Sequence, residues 1–362
     1  MDSTFPLGFP TPTALYLVLY VATFIIHQAL VGYVVAGSLY VAWATIAPGR
    51  GDTPRAEQPL ASALRDWLPF VLSATITAGV APLLFIQIVY PRHFYTANLL
   101  LSWRWMIVIP VLITAFYLLY LIKGATFSKW SYQVRAAVVL AVAACFLFVG
   151  FCWTANHLVA NNESAWPEVY ASGNVSLSAT LVALRMLVWV GGACASMAVI
   201  AGWQLAAQSG SPSSQPIAVE IRRLARFSLG GLALASAAAT AYLLQSDQAV
   251  SLSTLRVFAL PYVVAAVIGV LVQAAAWAMQ WRLGMNRRLL AMASFGYILA
   301  LVGASVLRET VRLASVDIAE LYQRNADAAA VGGFSVFLVF VVLNVAVITG
   351  CIWIVQKGIR KL

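Results

Sequence analysis

Three histidines are the side chains of this sequence best suited to ligate a metal ion, and all three lie in or beside long apolar runs. His27 interrupts the run from Thr13 to Ala47, His157 ends a later run, and His93 follows another. An ionisable group at membrane depth is costly to bury and is therefore a candidate functional residue. Neutral imidazole is a usual axial ligand of haem iron. His27 is therefore a candidate ligand of the iron of a b-type haem, with His157 as a second candidate.

Each histidine also has a plainer interpretation that the sequence leaves open. His27 could hydrogen-bond a hydroxyl or carbonyl group of a neighbouring helix and only specify packing. His157 lies close to Asn161 and could be a solvated loop residue, and His93 is expected at the membrane interface. Three scattered histidines cannot supply the paired ligands of a dihaem cytochrome b. The sequence also has no H-E-x-x-H motif and no Cys/His cluster for zinc.

Arginines form the second group of candidate binding residues. Arg308, Glu309 and Arg312 lie in a predicted connection late in the chain, and Arg185 lies inside or at the mouth of a predicted span. Because a guanidinium offers fixed bidentate geometry to a carboxylate, we predict that these residues bind a haem propionate or a quinol headgroup. The alternative for the first three is a solvated ion pair worth about 0.3–0.5 kcal/mol. The alternative for Arg185 is a snorkelling side chain.

The elements that must position these residues are membrane-spanning helices. Hydrophobic residues make up 62% of the 362 positions and charged residues only 9%, a composition too apolar for a soluble protein. A hydrocarbon layer of ~30 Å needs about 20 apolar residues per helix. We predict an all-α polytopic membrane protein in which residues 1–362 form a single transmembrane helical domain. About nine spans are predicted, at 13–46, 68–91, 103–123, 134–157, 177–208, 226–245, 254–281, 289–307 and 332–356.

The distribution of charge predicts the orientation of these spans. Fifteen basic residues fall in alternate connections, and five fall in the connections on the other side. By the positive-inside rule, the N-terminus is predicted outside and the C-terminus in the cytoplasm, with the chain in a bacterial inner membrane. The formal charge of +10 therefore comes mainly from basic residues in the connections predicted to be cytoplasmic. We predict no nucleic-acid partner. Residues 308–331 carry apolar residues at helical spacing and are expected along the outer interface.

The order of these features resembles subunit I of the cytochrome bd-type quinol oxidases. A first-helix histidine, here His27, is followed by a second helix with a Gly-Val pair and an aromatic-Gln element, here Gly79-Val80 and Phe85-Ile86-Gln87. A fourth helix ends in an Asn-containing stretch, here Trp153 to His157. The resemblance implies that His27 ligates a haem near the outer face, and it adds Gln87 to the candidate cofactor-binding residues.

Departures from that family narrow the predicted function. Arg185 stands near the expected place of a second haem-ligating histidine, and no carboxylate lies between Trp103 and Lys123. The long quinol-binding loop and the G-R-Q-P-W motif are absent from the sequence. Oxygen reduction needs several haems and a path of carboxylates. We therefore predict the membrane subunit of a respiratory electron-transfer complex, binding a b-type haem, a quinol or both near the outer face, and not an oxygen reductase by itself.

The predicted partners are other membrane or periplasmic redox subunits, with a c-type cytochrome as the outer-side electron donor or acceptor. Two other functions stay open. One is a haem-free, quinone-reactive membrane anchor subunit, and the other is a transporter or export component. Transport is less favoured, because the prolines that interrupt spans, Pro82, Pro110 and Pro261, do not recur symmetrically as inverted repeats would require.

Overall fold

The structure is a computed structural model that describes residues 9–47, 57–175, 177–208, 215–246 and 259–331, with isolated helical residues between 336 and 353. These residues form helices joined by short connections, and no β-strand occurs among them. The α-helices are α1 (Thr11–Ile46), α2 (Pro59–Val89), α3 (Pro91–Leu101), α4 (Trp103–Met106), α5 (Val108–Lys123), α6 (Tyr132–Ala160), α7 (Trp166–Ser172), α8 (Ala179–Gln208), α9 (Gln215–Gln245), α10 (Leu260–Leu283), α11 (Arg287–Leu313) and α12 (Ile318–Ala330).

Eight helical segments are long and apolar enough to cross a membrane. They are 21 to 36 residues long, and each contains an 18-residue stretch whose mean hydropathy lies between 1.6 and 2.5. The helices α1, α2, α6, α8, α9, α10 and α11 each contribute one segment, and α4 with α5 forms the segment Trp103–Lys123. The prediction of an all-α, multi-pass membrane protein is thereby confirmed. The ninth predicted span, 332–356, lies largely outside the described residues.

Because successive membrane-spanning helices run in opposite directions, the connections between them lie at two opposite faces of the bundle. The start of α1 lies with α12, since Asn325 Nδ2 donates a hydrogen bond to Thr13 Oγ1 at 3.1 Å. This face, which also carries the α2–α3, α6–α7 and α11–α12 connections, is called the N-terminal face below. At the opposite face, Lys123 Nζ donates to the carbonyl oxygen of Asp66 at 3.1 Å and joins the end of α5 to α2.

Several helices extend beyond the predicted spans. Helix α2 begins at Pro59, because proline is well suited to the first turn of a helix. Helix α11 continues to Leu313, six residues past the predicted end of its span. Arg308, Glu309 and Arg312 therefore lie in the last turns of a membrane-spanning helix and not in a connection. The sequence-based boundary was too early because it treated these charges as solvated, whereas they find partners inside the bundle.

Small residues allow the helices to approach one another closely. A Cβ added at Gly191 of α8 would lie 2.5 Å from the carbonyl oxygen of Gly231 on α9. A Cβ added at Gly303 of α11 would lie 2.6 Å from the carbonyl oxygen of Tyr262 on α10. Both distances are far below van der Waals contact, so these backbones touch, as is common between helices in membranes. Such packing fixes the helices from which the candidate site is built.

Candidate functional site

His27 projects from α1, and its ring packs against α2. His27 Nδ1 lies 3.0 Å from the carbonyl oxygen of Thr75. Gly79, one turn further along α2, leaves room for the ring, because a Cβ there would lie 2.8 Å from His27 Cε1. A carbonyl oxygen only accepts hydrogen bonds, so Nδ1 carries the ring proton. The lone pair of Nε2 is therefore available, which is the arrangement typical of histidines that ligate metal ions.

The side of α1 that carries His27 also carries two aromatic residues that contact charged residues of α11. Tyr20, Phe24 and His27 follow one another at helical spacing. The hydroxyl oxygen of Tyr20 accepts hydrogen bonds from Arg308 Nη1 and Arg312 Nη1, both at 3.1 Å. The Arg308 guanidinium also lies 4.6 Å from the centre of the Phe24 ring. Tyr20 thus holds two guanidinium groups about 10 Å along α1 from His27, at 1.5 Å per residue.

Glu309 lies beside these arginines and is almost fully buried. Its Oε1 accepts a hydrogen bond from the Tyr90 hydroxyl, and its Oε2 lies 3.8 Å from Arg312 Nη1. Glu309 is 1% exposed and Arg312 is 2% exposed. This burial overturns the alternative of a solvated ion pair at a helix end. Breaking such a buried pair costs far more than breaking a pair in water, because the remaining charge would have no solvent around it.

His157 lies near the end of α6 and contacts Arg185 of α8. His157 Nδ1 lies 2.8 Å from Arg185 Nη1 and 3.1 Å from Asn161 Nδ2. Both partners are donors, so Nδ1 is the acceptor and Nε2 carries the ring proton. His157 is 3% exposed, and its Nε2 has no hydrogen-bond partner in the part of the chain that the structure describes. The solvated-loop alternative is therefore wrong, and this tautomer makes Nε2 a donor rather than a metal ligand.

Five of these residues form one electrostatic unit, called the cationic cluster: His157, Arg185, Arg308, Glu309 and Arg312. The charges of all three arginines act on the His157 ring, and those of Arg308 and Arg312 act on Arg185. Arg185 also lies 5.0 Å from the centre of the Tyr242 ring. Three guanidiniums face one carboxylate, so two positive charges have no carboxylate partner among the described residues. Burying positive charge without a compensating negative charge is costly, so this excess makes the cluster a candidate binding site for an anionic group.

His93 lies outside the spans, on the N-terminal face, where the sequence predicted it. Its Nε2 lies 2.6 Å from Glu163 Oε1, and Arg92 Nη2 lies 3.1 Å from Glu163 Oε2. Burial lowers the pKa of His93, and the charges of Arg92 and Arg312 lower it further, while Glu163 opposes the shift. His93 is therefore neutral at pH 7. It joins the start of α3 to the connection that follows α6.

The structure brings together most of the residues that the sequence singled out. The cationic cluster contains five of them, and His27 lies on the same side of α1 as Tyr20. Gln87 lies apart: its Oε1 accepts a hydrogen bond from the Tyr95 hydroxyl at 2.8 Å, and it makes no hydrogen bond to the cluster among the described residues. Tyr20 and Tyr90, which bridge the charged groups, were not predicted from the sequence. A tyrosine near a helix end ordinarily marks the membrane interface, so no local signal distinguishes these two.

The available donors fit a haem better than a bare metal ion. No group of three His, Cys, Asp or Glu side chains placed to hold a metal ion occurs among the described residues. A haem takes a side chain such as histidine as an axial ligand of its iron, and guanidinium groups can pair with its propionates. His27 Nε2 is the candidate for the first role, and Arg185 and Arg308, which have no carboxylate partner among the described residues, are the candidates for the second.

The chain was also compared with protein-family models, with curated proteins and with solved structures, and none of these comparisons found a match.

Proposed function

We propose that the protein is the membrane subunit of a respiratory electron-transfer complex and binds one b-type haem in the half of the bundle next to the N-terminal face. His27 Nε2 would ligate the iron, and the arginines of the cationic cluster would hold the propionates. A bound haem supplies reversible one-electron transfer. The protein supplies the ligand, the orientation and the compensating charge. The resemblance to subunit I of the cytochrome bd-type quinol oxidases supports this proposal through the order of its sequence features.

The observation that carries the proposal is the unbalanced charge of the cluster. Two guanidinium charges, those of Arg185 and Arg308, lack a carboxylate partner among the described residues, since Arg312 pairs with Glu309. Arg308 bonds Tyr20, which lies about 10 Å along α1 from His27. A haem carries its two propionates at one edge, so a haem ligated by His27 with that edge toward the N-terminal face would bring negative charge toward Arg308. Pairs between arginine and carboxylate are among the strongest hydrogen-bonded contacts in proteins, so this pairing would also fix the orientation of the ring.

The orientation of the bundle determines the class of partner. Basic residues are concentrated in the connections of the face opposite the N-terminal face, which the positive-inside rule places in the cytoplasm. The propionate edge would then lie near the outer surface of a bacterial inner membrane. An outer-side redox protein, such as a c-type cytochrome, is the partner that this placement favours. Electrons would pass between that partner and a quinol or another membrane subunit.

The free donor of His157 favours a second candidate, a quinone-reactive anchor subunit without haem. His157 Nε2–H would donate to a quinone carbonyl oxygen in a buried setting, while Arg185 holds the ring through Nδ1. A quinone is neutral, however, and would leave two guanidinium charges of the cluster uncompensated. The haem-binding subunit is therefore the better supported of the two functions.

Reduced-minus-oxidised absorption spectra of the purified full-length protein test both candidates. We expect a b-type spectrum that is lost in His27→Ala and retained in Ser294→Ala, the control that removes a hydroxyl group bonded to Trp203 and apart from the cluster. The double variant Arg185→Met, Arg308→Met should retain less haem, because the propionates lose their partners. A wild-type protein without a b-type spectrum but with tightly bound quinone would establish the second candidate. A spectrum that survives His27→Ala and disappears in His157→Ala would assign the ligand to the other histidine.

A further inference from the structure

Glu309 is a buried carboxylate that retains an unused acceptor. Its Oε2 has no hydrogen-bond partner among the described residues, and Arg312 Nη1, at 3.8 Å, is beyond hydrogen-bond distance. Its Oε1 is bonded to the hydroxyl of Tyr90, which is itself only 2% exposed. Glu309 therefore has one oxygen without a hydrogen-bond partner and a hydroxyl group beside the other, Oε1, to which a proton can be passed.

Tyr90 also lines a cleft that opens at the N-terminal face, between the start of α3 and α12. The charged or titratable side chains that line this cleft with Tyr90 are Arg92, His93, Asp317, Glu320 and Arg324. Asp317 is exposed and Glu320 is partly exposed, so the polar lining of the cleft is open to solvent at this face. Tyr90 thus both lines the cleft and bonds the buried carboxylate of Glu309 through its hydroxyl.

We propose that Glu309 exchanges a proton with the N-terminal face through the hydroxyl of Tyr90. In the inward step, Tyr90 Oη takes a proton from a hydronium ion in the cleft, which becomes water, and gives its own proton to Glu309 Oε1. Glu309 becomes a neutral carboxylic acid, Tyr90 stays a neutral phenol, and the charge of the cationic cluster rises by one. The outward step is the reverse, and no electron moves in either direction.

The role suggested here for the proton exchange, charge compensation during electron transfer, rests on the proposed function. An electron that arrives at a group held by the cationic cluster adds one negative charge to a site of low dielectric constant. Uptake of a proton by Glu309 cancels that charge, so electron transfer would be coupled to proton exchange at the N-terminal face. The charged or titratable groups that face Glu309 are Tyr90 from the end of α2 and Arg312 from its own helix, with Tyr20 of α1 behind Arg312.

Infrared difference spectroscopy on the purified full-length chain in lipid nanodiscs tests the exchange. After a jump from neutral to mildly acidic pH, the C=O band that is absent in Glu309→Gln reports protonation of this carboxylate. Tyr90→Phe keeps the ring and removes the hydroxyl, so protonation should slow by about tenfold or more, the rate equivalent of losing one hydrogen bond to a charged group. Tyr95→Phe is the matched control, because its hydroxyl bonds Gln87 instead, and its rate should equal that of the wild type.

An unchanged rate in Tyr90→Phe, or the absence of any band lost in Glu309→Gln, would overturn the inference. If Tyr90→Phe does not fold, the wild-type rate in D2O decides, since a relay through a hydroxyl slows in D2O and an unslowed rate contradicts it. These measurements need neither haem nor quinone. If proton exchange is observed but the protein has no b-type spectrum, the proposed function is refuted and the exchange through Tyr90 is retained. If the protein has a b-type spectrum but Tyr90→Phe does not change the rate, the exchange is refuted and the proposed function is retained.

Discussion

Replacement of Gly79 by alanine should displace the ring of His27. The added Cβ would lie 2.8 Å from His27 Cε1 and 3.0 Å from Nδ1. Non-bonded carbon atoms settle at ~3.5–4.0 Å, so the ring must move away from α2 by about 0.7 Å or more. The hydrogen bond from Nδ1 to the carbonyl oxygen of Thr75 is 3.0 Å long. A displacement of this size stretches it past about 3.6 Å, where it no longer counts as a hydrogen bond.

The cost of this substitution follows from two terms. Loss of the hydrogen bond costs about 0.5–1.5 kcal/mol, and crowding costs about 1–3 kcal/mol. Alanine also gains about 0.8–1.0 kcal/mol over glycine in a helix. Gly192→Ala on α8 measures that gain alone, because nothing lies within 4 Å of its added Cβ. Relative to this control, Gly79→Ala should be less stable by about 1.5–4.5 kcal/mol.

Thermal melting in detergent and the reduced-minus-oxidised spectrum are the two assays for this pair of variants. We expect Gly79→Ala to melt at a lower temperature than Gly192→Ala and to retain less haem, because the ring proposed to ligate the iron has moved. Equal melting temperatures and equal haem content in the two variants would refute the contact between His27 and α2. The assignment of the ring proton to Nδ1 depends on that contact and would be refuted with it.

Three further substitutions probe other parts of the structure. Arg312→Met should destabilise the protein by about 3–5 kcal/mol, since it leaves the buried Glu309 unpaired; melting should show part of this loss recovered when Glu309→Gln is added. Because the pKa of His93 is lowered in the folded protein, stability should fall as pH drops below about 6.5 and level off below the folded-state pKa. A pH titration of melting should lose that component in His93→Gln, and an identical profile in the variant would contradict the shift. Gly303→Ala should cost about 1–3 kcal/mol by overpacking against α10, whereas Gly230→Ala, with nothing within 4 Å of its Cβ, should not.

Sequence alone was sufficient for the membrane class and for the eight spans that the structure describes. A helix that crosses hydrocarbon must satisfy its own backbone hydrogen bonds and present about 20 apolar residues, whatever its neighbours are. The same local rule made His27, Arg185 and His157 conspicuous, because an ionisable side chain in such a run is rare and costly. Rules of this kind depend on the residues of one helix, and a sequence displays them directly.

Only the tertiary structure decided what those side chains contact. The tautomer of His27 depends on the carbonyl group of Thr75, 48 residues away, and the burial of Arg308 and Arg312 depends on Tyr20, 288 and 292 residues away. No periodicity within α1 or α11 encodes such pairs, because they follow from how several helices pack together. The sequence therefore predicted His27 as an isolated candidate ligand. The packing of the helices shows that Tyr20, on the same side of α1 as His27, bonds two arginines of the cationic cluster. That cluster has more positive than negative charge.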